Sequence, residues 1–224
     1  MRCRPLASSA LLPEHQALVT RLRAARESGA RVVLLSVGTI VTKMALRMGP
    51  PYSDALKHLY SSVARAALRA GAVVVASTTA GTAEDLGVDE ATLGADARDR
   101  LIAMSFVPQP LLFAHGLVDV MLMHGGANTF HETVLAGIPV LVWPVFGDQE
   151  SVAETAGKLG IGVAIETLMY PKLAGAQSLA RIAEETLPKM LAPGESEWKS
   201  AAARLAERVK GGDGLDTAAS LVVG

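Results

Sequence analysis

Four short stretches concentrate the residues whose chemistry suits ligand binding: residues 38–39, 106–109, 124–129 and 144–149. The third reads His-Gly-Gly-Ala-Asn-Thr and opens a predicted helix. Paired glycines let the backbone approach a ligand closely, and the free N–H groups of a helix N-terminus suit a phosphate. This combination favours a phosphate site at His124, Gly126, Asn128 and Thr129. The alternative is a tight turn in which Asn128 caps the helix.

Two carboxylates near these stretches have two interpretations each. Glu132 lies one turn further on, where its carboxylate would repel phosphate but could accept hydrogen bonds from a ribose diol. The alternative for Glu132 is a residue that completes the helix cap. Asp148 and Gln149 could form hydrogen bonds with adjacent sugar hydroxyls. Taken alone, however, Asp148 is better explained as an ordinary N-cap.

The other two stretches are ambiguous by themselves. Phe106 could stack on a base and Gln109 could hydrogen-bond the edge of that base, but such residues also form common loops. Thr39 follows the first predicted strand, where its hydroxyl could bind a phosphate or sugar oxygen. Neither stretch decides a function alone.

The elements that must position these residues follow from apolar patterning. Continuous apolar, largely β-branched runs predict six buried strands, at 32–37, 72–76, 101–106, 118–123, 140–143 and 161–165. The main helices are predicted at 14–28, 53–70, 127–136, 148–159, 176–191 and 195–210. Ser53 is a candidate N-cap, residues 78–99 are a predicted loop with a short helix, and residues 40–51 resist assignment. This alternation predicts an α/β fold with a doubly wound parallel, Rossmann-like sheet, and ligands bind beyond the carboxyl ends of its strands.

Composition narrows the class of protein. The 224 residues are 50% apolar and carry a formal net charge of −1, which indicates a buried core and disfavours a nucleic-acid groove. Cys3 is the single cysteine, so no internal disulfide can form and a cytoplasmic location is expected. No apolar run reaches the ~20 residues of a membrane span.

The joint spacing of the polar stretches is specific. The run over residues 106–149 resembles the donor-binding signature of family-1 glycosyltransferases, the UDP-glycosyltransferase type with the two-domain GT-B fold. The matching positions are Phe106, Pro108, Gln109, His115, His124, Gly126, Asn128, Thr129, Glu132, Gly137, Pro139, Pro144, Asp148 and Gln149. The likeness extends more weakly over residues 32–165. It implies the C-terminal, donor-binding half of a GT-B fold.

The resemblance implies roles at the nucleoside end of a nucleotide-sugar site. Phe106 would stack on the base, and Val107 and Gln109 would contact the base or the ribose. Glu132 would hold the ribose hydroxyls. Phe106 stands where plant members commonly carry Trp, as does Ala127, which suggests a bacterial-type enzyme. UDP- and dTDP-sugars are therefore both open as donors.

The resemblance also implies which residues bind the rest of the donor. The diphosphate would be bound by Thr39, His124, Gly126, Asn128 and Thr129. The sugar would be bound by Asp148 and Gln149. No cofactor and no metal is expected, because a helix dipole and side chains would offset the charge of the leaving diphosphate.

The group that would activate an acceptor is not visible. In this family the general base is a histidine of an N-terminal acceptor domain, and none of His15, His58 and His131 is expected to match it. We expect His15 to be an exposed helix residue, and we assign no catalytic residue. Residues 1–30 are predicted to form a tail and linker helix. Residues 31–224 are predicted to form the nucleotide-sugar-binding domain, ending in C-terminal helices.

Three interpretations stay open. The chain is the donor-binding half of a longer inverting enzyme that moves a hexose to a small-molecule acceptor, or it is a subunit completed by a separate acceptor-binding chain. The third interpretation is a non-catalytic nucleotide-sugar-binding accessory protein. If an acceptor domain normally covers the carboxyl edge of the sheet, the isolated chain should expose apolar residues there and form homo- or hetero-oligomers.

Overall fold

The computed structural model describes residues 12–194 and 196–211, which form one six-stranded parallel sheet flanked by helices. The strands are β1 Val32–Ser36, β2 Val73–Ser77, β3 Leu101–Met104, β4 Val120–Met123, β5 Val140–Val142 and β6 Gly162–Ala164. Their spatial order is β3-β2-β1-β4-β5-β6, and every neighbouring pair is parallel. The predicted doubly wound sheet and all six predicted strands are confirmed.

Helices cover both faces of the sheet. They are α1 Pro13–Glu27, α2 Thr39–Met48, α3 Tyr52–Arg69, α4 Glu90–Leu93, α5 Ala97–Arg100, α6 Gln109–Ala114, α7 Ala127–Ala136, α8 Gln149–Lys158, α9 Leu179–Arg181, α10 Leu187–Leu191 and α11 Glu197–Lys210. Val33 and Leu35 of β1 pack in one buried cluster with α2, α3 and α10. Val32 and Leu34 pack in the other, with α1, α6, α8 and α11. Because both faces are covered, β1 and β2 are apolar throughout most of their length and fully buried.

Several helix boundaries differ from the sequence-based expectation. Helix α2 occupies most of the unassigned segment 40–51 and ends before Gly49. Helix α3 begins at Tyr52 with Pro51 at the N-cap position, so the prediction of Ser53 as N-cap is wrong. The fixed φ of a proline suits the start of a helix, which explains why the helix begins earlier than a serine cap would place it. Residues 78–99 contain α4 and most of α5 instead of one short helix.

The helix predicted over residues 176–191 is divided. Between α9 and α10 lies a π-helical turn, Ile182–Thr186, in which the Leu187 N–H donates to the Ile182 carbonyl five residues back. Pro188 follows directly, and a proline has no N–H to donate and crowds the carbonyl of the preceding turn. A one-residue widening of the helix before Pro188 is a local solution to that conflict.

An ion cluster joins three elements at the amino edge of the sheet. The Asp119 side chain, directly before β4, is only 4% exposed. Its carboxylate accepts a hydrogen bond from the Val32 N–H at 2.9 Å and pairs with Arg26 at 2.5 Å. It also pairs with Arg31 at 3.2 Å and with Lys199 at 3.6 Å. Asp119 therefore ties α1, β1 and α11 together.

Helix α1 packs against the sheet, because Leu18, Val19 and Leu22 are buried in the same cluster as Leu34. The predicted tail lies mostly in residues 1–11, outside the described residues. Over the described ranges, no helix is both long and apolar enough to cross a bilayer.

Candidate functional site

The strand order reverses between β1 and β4, and two of the predicted ligand-binding stretches meet in the crevice there. Ser36 of β1 lies in register with Met123 of β4, so the loops that follow these residues are neighbours. Helices α2 and α7, of ten residues each, begin at this point with Gly38 and Gly126 as N-caps. Neither N-cap has a side chain to occupy the first N–H groups, so the two helix starts present free donors to the crevice.

The His124 ring lies between the two N-cap glycines. A Cβ atom added to Gly38 would stand 2.8 Å from Cε1 of His124, and one added to Gly126 would stand 2.6 Å from Nε2. Both distances are below any normal contact, so a side chain at either position would displace the ring. Glycine at these two positions leaves space for the imidazole ring as well as forming a turn.

The surroundings of His124 favour the neutral form of its ring. Its Nδ1 is buried and has no hydrogen-bond partner among the described residues. Burial lowers the pKa of His124 below its ordinary value, and the nearby Asp148 carboxylate opposes this only in part. A neutral imidazole beside two helix N-termini can gain a proton and a partner when an anion arrives.

Gly125 connects the crevice to the next loop. Its φ of +91° is a left-handed conformation that favours glycine, and a Cβ there would stand 3.0 Å from the carbonyl oxygen of Gln149. The start of α7 therefore packs directly on the start of α8, where Asp148 and Gln149 lie.

The predicted phosphate-binding side chains lie in the first turns of the two helices. Thr39 is the exposed first residue of α2. Asn128 is exposed and Thr129 half-buried in the first turn of α7. The N-cap of α7 is Gly126, with no side-chain cap, so the alternative in which Asn128 caps the helix is wrong.

The two predicted sugar-binding residues differ in their exposure and in their hydrogen bonds. Asp148 occupies the N-cap position of α8, is exposed, and forms no capping hydrogen bond with the helix. Gln149 is 4% exposed, and its Oε1 accepts hydrogen bonds from the N–H groups of Val145 at 2.9 Å and Phe146 at 3.2 Å. Gln149 thus holds the loop that presents Asp148, a role that the sequence did not predict.

The loop after β3 presents one exposed ring. Phe106 is 63% exposed, whereas Val107 is buried in the core with its side chain turned away from solvent. Gln109 begins α6, and its Nε2 donates to the Ser36 hydroxyl at 2.8 Å, which ties this loop to the end of β1. Phe106 is therefore the aromatic side chain of this loop that is open to a flat ligand.

Glu132 lies in the second turn of α7, half-buried. Desolvation by burial raises the pKa of its carboxyl above the ordinary value. Its carboxylate has no hydrogen-bonding or ion-pair partner within residues 12–194 and 196–211. It is available to accept hydrogen bonds from hydroxyl groups.

The prediction that His15 is exposed is wrong. His15 is 7% exposed, and its ring centroid lies 5.6 Å from that of Phe106, at an interplanar angle of 44°. The sequence did contain a signal, because His15 precedes Leu18 and Leu22 by three and seven residues and so shares their buried helix face. The polar character of histidine favours exposure, but this periodicity indicates burial.

Comparisons with known proteins show the family to which the chain belongs. Residues 13–185 match the family described as UDP-glucoronosyl and UDP-glucosyl transferase, and the chain belongs to that family. A sterol 3-beta-glucosyltransferase of Saccharomyces cerevisiae (strain YJM789) is 27% identical over 199 residues, 88% of this chain and 14% of the yeast protein. UDP-glycosyltransferase 708G2 of Citrus unshiu is 38% identical over 63 residues, 28% of this chain and 13% of the plant protein.

A solved structure shares the fold. Os79 from O. sativa, in complex with UDP and deoxynivalenol-3-glucoside, matches with a TM-score of 0.65 and 18% identity. The match covers 96% of this chain and 45% of the rice chain. This chain therefore has the fold of part of a UDP-glycosyltransferase and spans less than half the length of the relatives it matches.

Proposed function

We propose that this chain is the nucleotide-sugar-binding part of an inverting glycosyltransferase that transfers a hexose from a UDP- or dTDP-sugar to a small-molecule acceptor. The observation that carries the proposal is the convergence of the starts of α2 and α7, with Gly38 and Gly126 as N-caps, on the His124 ring. Two helix N-termini and an imidazole at one point form a set of donors suited to a diphosphate. Family membership supports the same ligand, as does the UDP in the similar rice structure.

The order of the strands fits the order of groups in such a donor. Phe106 follows β3 on one side of the crevice, and Asp148 follows β5 on the other. The base would lie on Phe106, the diphosphate beside His124 and the hexose beside Asp148. Glu132, one turn into α7, would accept hydrogen bonds from the ribose. We propose that no metal or cofactor is needed, because the helix N-termini and His124 offset the diphosphate charge.

We propose that the acceptor-activating base comes from an N-terminal acceptor domain or a partner chain. His58 and His131 are exposed on the outer helices α3 and α7 and offer no such group. Large apolar side chains stand exposed just beyond the carboxyl ends of β1, β5 and β6: Ile40, Phe146, Leu168 and Met169. Exposed apolar residues at one edge of a domain suit a surface that another domain covers. We also propose a cytoplasmic location, on the basis of the single cysteine.

Calorimetric titration with UDP, dTDP and their glucose conjugates tests the proposal. We expect the isolated chain to bind at least one nucleoside diphosphate and to transfer little sugar. Absence of any heat of binding at millimolar nucleotide would refute the donor-site assignment. Adding the N-terminal domain of a relative separates a transferase half from an accessory protein, because only the former should then release UDP in the presence of an acceptor.

Glu132→Ala is expected to weaken UDP binding about tenfold, because one or two ribose hydroxyls lose a charged acceptor. The same variant should lose the wild-type preference for UDP over 2′-deoxy-UDP, measured by calorimetry. Glu132→Gln retains an acceptor oxygen, so its UDP affinity should lie between those of the wild type and Glu132→Ala. Glu84→Ala, at an exposed loop position, is the matched control. Unchanged UDP affinity in Glu132→Ala would mean that this carboxylate is a residue of helix α7 that does not contact the ribose.

A further inference from the structure

We propose that His15 of α1 is part of the nucleobase site, where its Nε2 forms a hydrogen bond with the edge of a pyrimidine stacked on Phe106. This inference rests on the proposed function, because it assigns a further residue to the same donor site. It also gives α1 a binding role that the expected linker helix does not have.

The first observation is the contact between the two rings. Phe106 is largely exposed at the carboxyl edge of the sheet, and His15 lies directly against it with a centroid separation of 5.6 Å. The 44° tilt leaves the rings neither stacked nor perpendicular. His15 therefore supports the ring expected to carry the base, and because its Nε2 is buried, the proposal requires Phe106 to turn aside as the base binds.

The second observation is a pair of unsatisfied nitrogens. Among the buried side-chain nitrogen and oxygen atoms of residues 12–194 and 196–211, only His15 Nε2 and His124 Nδ1 have no hydrogen-bond partner. Buried polar groups are normally paired, and an unpaired one calls for a specific explanation. Both belong to histidines on the ligand-binding edge, one at the proposed diphosphate position and one at the proposed base position. A bound nucleotide would satisfy each of them.

The third observation is that α1 is firmly held. Leu18, Val19 and Leu22 are buried, and Arg26 pairs with Asp119. Arg21 donates to the Asp99 carbonyl at 2.8 Å. Because these contacts fix the helix on the sheet, His15 is presented at a constant position, as a specificity-determining group should be.

The chemistry of the imidazole suits a pyrimidine edge. Nε2 donates in one tautomer and accepts in the other, so it can pair with a ring carbonyl or with a ring N–H. Uracil and thymine present both groups next to each other. A bare diphosphate presents neither at this position, so binding of pyrophosphate should not depend on His15.

The test compares UDP with pyrophosphate by calorimetry on the wild-type chain and on His15→Phe, which keeps an aromatic ring and removes both nitrogens. We expect His15→Phe to bind UDP about tenfold more weakly and pyrophosphate with unchanged affinity. His15→Gln, which restores a hydrogen-bonding group, should recover part of the UDP affinity. His58→Phe, at an exposed position on α3, is the matched control and should bind both ligands like the wild type.

Two results would overturn the inference without touching the proposed function. One is wild-type UDP affinity in both His15 variants. The other is an equal loss for UDP and pyrophosphate together with a lower unfolding temperature, which would make His15 a packing residue. Failure of the proposed function looks different, because the wild-type chain itself would then bind neither ligand.

Discussion

Replacing Asp119 with alanine is expected to lower the free energy of unfolding by about 2–3 kcal/mol. Removing one partner of a buried ion cluster usually costs about 3–5 kcal/mol, because charges are left uncompensated. The partners of Asp119 reduce this figure, since the side chains of Arg26, Arg31 and Lys199 are 30%, 28% and 38% exposed and stay partly hydrated. The buried N–H of Val32 cannot be hydrated in this way, and it loses its hydrogen-bond acceptor.

Urea unfolding followed by circular dichroism measures the effect of Asp119→Ala. Asp96→Ala is the matched control, because Asp96 pairs with Arg100 at a position where the carboxylate side chain is 66% exposed. An exposed pair contributes about 0–1 kcal/mol, so this control should unfold nearly like the wild type. A loss below about 1 kcal/mol in Asp119→Ala would show that hydrophobic contacts alone hold α1 and α11 on the sheet.

The parts of the fold that follow local rules could be predicted from the sequence. Apart from Ser36, the run from Val32 to Val37 is apolar because helices cover both faces of a central parallel strand. The apolar character of these residues therefore indicates that they are buried. The rule that ligands bind beyond the carboxyl ends of the strands selected the loops that contain Gly38 and His124 from the sequence alone. The reversal of the strand order between β1 and β4, which brings these two loops together, became visible only in the structure.

Contacts between distant parts of the chain could not be predicted in the same way. Asp119 and Arg26 are 93 residues apart, and nothing local in either segment requires the other. The role of Gln149 as an acceptor for two backbone N–H groups depends on the path of residues 144–148, which no pattern specifies. His15 differs from these two, since its spacing from Leu18 and Leu22 indicates burial, although the expectation drawn from its residue type was exposure.

The glycines of the crevice show why sequence and structure gave different reasons for the same residues. In the sequence, Gly126 indicates that the protein backbone approaches a ligand closely, and Gly38 directly follows the first predicted strand. In the structure both provide space for the His124 ring, and only Gly38 also has a positive φ, of +79°. The backbone at Gly38 and Gly126 therefore fixes the position of the imidazole. A bound anion can then change the protonation state of His124 without moving the ring.

Binding of UDP-glucose is expected to strengthen as the pH falls from neutral toward the lowered pKa of His124, and His124 is the cause. Burial holds the pKa of His124 below its ordinary value in the free chain, so the ring is neutral at pH 7. A bound diphosphate favours the protonated ring and raises this pKa. Between the bound-state and free-state pKa values binding takes up a proton, so the affinity rises by at most about tenfold per pH unit as the pH decreases. Below the free-state pKa the dependence should level off.

Calorimetry in two buffers of different ionisation enthalpy measures this proton uptake directly. UDP-glucose is preferable to UDP, because a terminal phosphate has its own pKa near about 6 and would mask the signal. Asp148 is the charged group that acts on His124, so Asp148→Asn should lower the pKa of His124 further and move the dependence to lower pH. His124→Gln keeps a hydrogen-bond donor but cannot be protonated, and it should bind about 10- to 30-fold more weakly at pH 6 with no pH dependence. A wild-type affinity that is constant over this range, with no proton uptake, would mean that the diphosphate is held by the helix N-termini alone.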